Sequence, residues 1–367
     1  MAIFTDFSDV DMRVCYFGSY QREEQRNVIL MNGLISNGVD LVECHSSIRA
    51  TLRRYYDLWY KFQRLEPWRF DIIFVGKIGH GDVPLAFLLG KVFRKPVVFD
   101  AFVSLYDTLV CDRKLIAANS PRARYYYFLD WLAVRLADII ILDTEAHASF
   151  FAQEFKLPLS KFCVVPIGAD ERVFFPIDAD QNDVFDVLFF GTFIPLHGVE
   201  YIIRAAKLLE DKGVDIHFRL VGRGQTYQMA RRLANELQVN NVAFLDSVAL
   251  CKLPTLIASC DVGLGIFGNT HKASNVVPNK AYQIIAVRKA LITGDSPAAR
   301  EAFVDRRHAL LCKMADPEAL ATAILGLKED DRLRHKIAEN GYALFKERFT
   351  SVAIGAPLKQ LLEDLLG

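Results

Sequence analysis

The chain has 367 residues, enough for two domains that each bury a core, and 52% of them are apolar. Lysine plus arginine number 44, as do aspartate plus glutamate, so no net field draws the chain to nucleic acid. Seven scattered cysteines without CxxC spacing argue against a structural metal and for a reducing compartment.

Residues 1–11 are acidic, lack an apolar signal core and read as a frayed leader. No uncharged apolar run approaches the ~18–20 residues that span a bilayer, and the reading is cytoplasmic. An apolar strand, Met12 to Gly18, precedes a polar loop, a helix (Asn27 to Asn37) and a second strand (Val39 to Glu43). Strand, glycine turn and helix at this spacing open a doubly wound α/β domain. Gly18 either lets a ligand approach the backbone or serves an ordinary turn.

Segment 50–65 (ATLRRYYDLWYKFQRL) is an amphipathic helix with Leu52, Tyr56, Trp59 and Phe62 on one stripe and basic residues largely off it. A second basic, aromatic segment covers 113–135. Together they read either as a docking surface for anionic lipid at the inner face of the membrane, or as core aromatics with a solvated basic face. A third strand, Asp71 to Val75, leads into Gly76-Lys77-Ile78-Gly79-His80-Gly81-Asp82, a cleft-lining loop, with His80 more readily structural than catalytic. A fourth strand ends at Asp100, which either meets a ligand or caps the next turn. Helix Arg122 to Ala137, strand Asp138 to Leu142, helix Ala146 to Phe155 and strand Phe162 to Pro166 complete the first domain.

After a polar hinge (177–184), a second strand–helix alternation begins with Asp186 to Phe190. The loop Gly191-Thr192-Phe193-Ile194-Pro195-Leu196-His197-Gly198 then offers backbone N–H groups and a helix start to an anion. Strand Ile216 to Val221 ends in Gly222-Arg223-Gly224; strand Val242 to Leu245 precedes a helix expected from Asp246-Ser247-Val248. Strand Asp261 to Ile266 runs into a polar loop, and Pro278 opens a helix carrying Asn279, Lys280 and, one turn on, Gln283. Strand Ala290 to Thr293, the turn at Asp295-Ser296 and a helix through Glu301 follow, then two long helices and an amphipathic tail, Val352 to Leu366.

The run Pro278-Asn279-Lys280-Ala281-Tyr282-Gln283, and the exit Ile167-Gly168-Ala169-Asp170 with Phe174-Phe175-Pro176, resemble the group 1 (family 4) retaining glycosyltransferases. Where that family usually has two glutamates eight residues apart, this chain has Asn275 and Gln283; where it has Arg and Lys in the phosphate loop, Thr192 and His197 stand. The resemblance implies an α/β GT-B fold: an acceptor-side Rossmann-like domain over 1–176, a donor domain over 185–350, and a terminal helix (351–367) crossing back. It implies transfer of a sugar from a nucleoside diphosphate sugar to a glycan or lipid-linked acceptor hydroxyl, with retention, without a metal and without a cofactor beyond the co-substrate. Asp100 and Lys280 are then the candidate catalytic residues. Gly18, Gly191, Thr192, His197, Gly198, Arg223, Gly224, Asn279, Gln283, Asp295 and Glu301 are the candidate donor ligands. The alternatives are a nucleotide-sugar epimerase using Asp100 with Glu301, or a non-catalytic nucleotide- or partner-binding protein.

Overall fold

The computed structural model describes residues 12–178 and 184–367, so the expected leader and most of the expected hinge fall outside the described residues. The first half alternates β1 (Arg13–Gly18), α1 (Gln25–Ser36), β2 (Asp40–His45), α2 (Thr51–Arg64), β3 (Ile72–Val75), α3 (Val83–Phe93), β4 (Val97–Asp100), α4 (Pro121–Leu136), β5 (Ile139–Leu142), α5 (Glu145–Phe155) and β6 (Phe162–Val164). The second half alternates β7 (Phe185–Phe190), α6 (Val199–Asp211), β8 (Ile216–Val221), α7 (Tyr227–Glu236), β9 (Val242–Leu245), α8 (Leu253–Ala258), β10 (Val262–Leu264), α9 (His271–Asn275), α10 (Asn279–Ala286), β11 (Ala290–Asp295), α11 (Pro297–Ala302) and β12 (Leu310–Lys313). It ends with α12 (Pro317–Glu329), α13 (Asp331–Arg348) and α14 (Ser351–Leu366).

Both sheets are six-stranded and parallel, ordered β2-β1-β3-β4-β5-β6 and β12-β11-β10-β7-β8-β9. Their strands are short apolar runs because helices cover both faces. In β1, Cys15 and Phe17 join one core while Val14 and Tyr16 join another; in β7, Val187 and Phe189 divide in the same way from Leu188 and Phe190. Strand order reverses between β1 and β3 and between β7 and β10, and at such points ligands lie beyond the carboxyl ends of the strands.

The terminal helix crosses to the first half, as expected. Ile354, Leu358 and Leu362 of α14 complete the core beneath β1 and α1, each burial contributing about 1.5–3 kcal/mol. Contact with α1 depends on two facing glycines, since a Cβ on Gly355 would lie 2.1 Å from Gly33 O. Four sequence expectations need correction or addition. The α2 stripe is split: Phe62 is buried with Leu58, whereas Leu52, Tyr56 and Trp59 are 86%, 67% and 45% exposed. Residues 246–248 form a loop, and the helix after β9 waits for Leu253 with Pro254 in its first turn. The polar loop after β10 contains a further helical turn, α9. Between β4 and α4 the chain forms a widened turn, Asp107–Asp112, in which Arg113 N donates to Thr108 O.

Candidate functional site

The carboxyl ends of the two sheets face each other across a cleft with a cavity of about 510 Å³, lined from both halves. On the second-half side, the β7–α6 loop and the start of α10 converge. Gly191 has φ of +133°, and a Cβ there would sit 3.3 Å from Lys280 Nζ, so glycine is what allows the lysine to lie against the loop backbone. Lys280 points over the Phe189 ring at 3.9 Å. Among the described residues its ammonium has no hydrogen-bond partner, and burial holds its pKa well below the ordinary lysine range. Such an ammonium lacks the anion that would stabilise its charged form.

His197 lies beside it. Its Nδ1–H donates to Thr192 O, and burial, reinforced by the Lys280 charge, drives its pKa well down. The ring is therefore neutral at pH 7 and leaves Nε2 as an acceptor, so His197 does not replace the positive charge of the Lys in the family pattern. Thr192 and Asn279 line the same cavity. Gln283 Nε2 donates to Gln25 Oε1 at 2.7 Å, and Gln25 donates onward to Gly168 O. Asn275 sits one helical turn from His271, and its carbonyl accepts from Thr144 Oγ1 at 2.5 Å.

The first-half wall carries Lys77, from the loop expected to line the cleft, and further residues that motif reading missed. Lys77 pairs with Glu24 at 2.5 Å and covers the Phe102 ring at 4.0 Å. Asp112, from the widened turn, and Asp143, at the end of β5, open on the cavity. Asp143 Oδ1 holds His147 Nδ1 at 2.6 Å. Lys272 of α9 crosses from the second half to the Thr108 hydroxyl. The available signal was the position of Asp143 at a strand's carboxyl end; Asp112 and Lys272 come from segments with no periodic pattern.

Several candidates fall elsewhere. Asp100 is fully buried, its carboxylate engaged at 3.1 Å by both Nε and Nη2 of Arg26, whose Nη1 donates to Val165 O and Pro166 O. Burial pushes the Asp100 carboxyl up and Arg26 opposes it. This residue ties α1 to β4 and does not face the cleft. Gly18 packs on Asp82, which accepts from Ser19 N and Oγ, so its role is a turn. His80 is buried between Val103 O and Asp130. Glu301, expected at the sugar, accepts from Glu145 N (2.7 Å) and Ala146 N (2.8 Å) and so caps α5 across the two halves. Asp295 is paired with Arg300. Arg223 is exposed, bonded to Asp246 at 2.7 Å and stacked on Tyr227. It borders a smaller recess of about 190 Å³ shared with Gly191, Thr192 and Gly222. Gly198 opens α6 with a φ of +64°, and Gly224 lies against the Phe193 backbone.

Residues 171–344 match the model of the family Glycosyl transferases group 1. The matched segment, a little under half of the chain, is similar to the group 1 glycosyltransferases. Two uncharacterized glycosyltransferases of Methanocaldococcus jannaschii are similar over most of the chain. One is 23% identical over 84% of this chain and 79% of that protein. The other is 21% identical over 97% and 91%. Among solved structures, Anabaena HepE in complex with UDP and glucose has a TM-score of 0.70 at 16% identity, covering 96% of this chain and 100% of that one. Sucrose-phosphate synthase from Thermosynechococcus elongatus has a TM-score of 0.74 at 14% identity, covering 96% and 99%. The architecture is that of the GT-B glycosyltransferases, two doubly wound domains facing across a cleft.

Proposed function

We propose that the chain transfers a glycosyl group from a nucleoside diphosphate sugar to an acceptor hydroxyl, with retention and without a metal. The observation that carries this is the buried Lys280 ammonium, without a hydrogen-bond partner among the described residues, beside Gly191 at the mouth of the second sheet. A diphosphate seated on the Gly191–Gly198 backbone and the α10 N-terminus supplies the missing anion. In the reaction the bond from the anomeric carbon to the diphosphate oxygen breaks, and the acceptor oxygen takes that place while its proton passes to the leaving diphosphate. Negative charge grows on the leaving diphosphate, where Lys280 and the helix terminus stabilise it most. Gln283 stands where the ribose hydroxyls would be held. The engagement of Asp100 by Arg26 and of Glu301 by the start of α5 favours this reading over the epimerase alternative.

The acceptor side fits a glycan or lipid-linked substrate presented at a membrane face. The apolar stripe of α2, with Tyr125 and Phe128 of α4, is exposed and flanked by Arg49, Arg53, Arg122 and Arg124. No described helix is long and apolar enough to cross a membrane.

A thermal-shift panel of UDP, GDP, ADP and dTDP tests the donor reading. One nucleotide raises the melting temperature by several degrees, and Lys280→Ala abolishes the shift. UDP comes first, since HepE was solved with it. Turnover of the matching nucleotide sugar separates an enzyme from a non-catalytic binder.

A further inference from the structure

The first-half wall of the cleft holds carboxylate acceptor atoms left open among the described residues. Asp112 and Asp143 are 2% and 3% exposed, and both line the cavity that Lys280 enters from the other side. Asp143 Oδ2 has no hydrogen-bond partner among the described residues, and the one hydrogen-bonding neighbour of the Asp112 carboxylate is the Thr270 hydroxyl, which leaves acceptor capacity on it open. Buried polar atoms are ordinarily paired, so carboxylate oxygens with open acceptor capacity beside a cavity mark a place that a ligand completes.

We propose that Asp112 and Asp143, with Lys272, form the sugar subsite of the donor pocket and select an uncharged, hydroxyl-bearing glycosyl group over a uronic acid. The proposal rests on the donor reading, because it is the diphosphate at Lys280 that brings a sugar to this wall. A sugar hydroxyl donates to a carboxylate oxygen in a charge-assisted bond and can accept from an ammonium at the same time. Lys272 spends one donor on Thr108 and keeps two. Vicinal hydroxyls therefore match a wall in which carboxylates and one ammonium sit side by side.

Charge decides against an anionic sugar. Asp107, Asp112 and Asp143 surround Lys272, while the charge of Lys77 is taken by Glu24. Arg113 lies beside Asp112 but hydrogen-bonds to Gln225, and Thr270 provides a hydroxyl. The balance at these oxygens is negative, and burial itself pushes the Asp112 carboxyl up. A uronate carboxylate placed there meets like charge with little water to screen it.

The test compares wild type, Asp112→Asn and Asp143→Asn by calorimetry, using UDP, UDP-glucose and UDP-glucuronate, or the corresponding set for whichever nucleotide binds in the thermal-shift panel. In wild type the hexose adds about tenfold affinity over the bare diphosphate and the uronate adds none. Each Asn variant loses the hexose increment, narrows the difference between hexose and uronate, and binds the bare diphosphate within about twofold of wild type. Unchanged binding of the bare diphosphate also shows that the variant is folded. A hexose increment that survives both substitutions, or a uronate that binds as well as the hexose in wild type, overturns the subsite. If neither UDP nor the other three diphosphates binds wild type, the donor reading itself fails and the subsite with it. Should a variant not fold, Asp112→Ser and Asp143→Ser replace it in the same comparison.

Discussion

Gln283 Nε2 donates a 2.7 Å hydrogen bond to Gln25 Oε1, joining the second turn of α10 to the first turn of α1 across the cleft. An amide stands where the family pattern has a carboxylate, and a charged acceptor would hold ribose hydroxyls more strongly. Gln283→Glu is expected to tighten nucleoside diphosphate binding about three- to tenfold, and Gln283→Leu to weaken it similarly, as measured by calorimetry. Weaker binding by the Glu variant would place the ribose elsewhere.

Lys280 makes two pH predictions. Its pKa is lowered in the folded apoprotein and ordinary in the unfolded chain, so the unfolded chain holds more protons between the two values. Stability therefore rises with pH from the folded pKa up to about 10.4, and this component disappears in Lys280→Met. Urea titrations of both proteins at a series of alkaline pH values measure the difference. Diphosphate binding reverses the effect by restoring the ammonium. It should take up a proton at pH values above the depressed pKa, visible as a buffer-dependent heat, and weaken as the solution becomes more alkaline.

Asp100 and Arg26 form a fully buried pair. Removing one partner strands the other charge, so Asp100→Asn or Arg26→Met is expected to cost about 3–5 kcal/mol in denaturant unfolding. The double substitution Arg26→Met with Asp100→Leu should recover much of that loss. A mild effect on stability with a large loss of turnover in Asp100→Asn would instead return the residue to the chemistry.

The exposed α2 stripe gives a surface prediction. Wild type should co-sediment with vesicles containing phosphatidylglycerol and much less with pure phosphatidylcholine, and binding should fall with added salt. Leu52→Ser combined with Trp59→Ser should reduce that binding roughly tenfold or more, given about 25 cal/mol per Å² of apolar surface lost. Because these side chains are exposed, the melting temperature should scarcely move. Equal binding to neutral vesicles would remove the electrostatic part of the reading.

Local sequence carried the strand–helix alternation, because buried parallel strands are written as short apolar runs and glycines mark their carboxyl ends. The seat proposed for a phosphate could be read for the same reason: Pro278, Lys280 and the Gly191–Gly198 loop lie within single strand-to-helix connections, where local sequence sets what the backbone can present. Two kinds of question were not decided locally. One was orientation. The period of α2 showed a stripe but not which side the domain would cover, so Phe62 went inward while Leu52, Tyr56 and Trp59 stayed out. The other was partnership over long separations. Asp100 was removed from the cleft by Arg26, and Glu301 was drawn to the start of α5. Lys272 was brought to Asp112 and Asp143 by the apposition of the two halves. A carboxylate at a strand end is chemically the same in sequence whether it meets a substrate or an arginine; the tertiary structure decides, because it determines which charge arrives first.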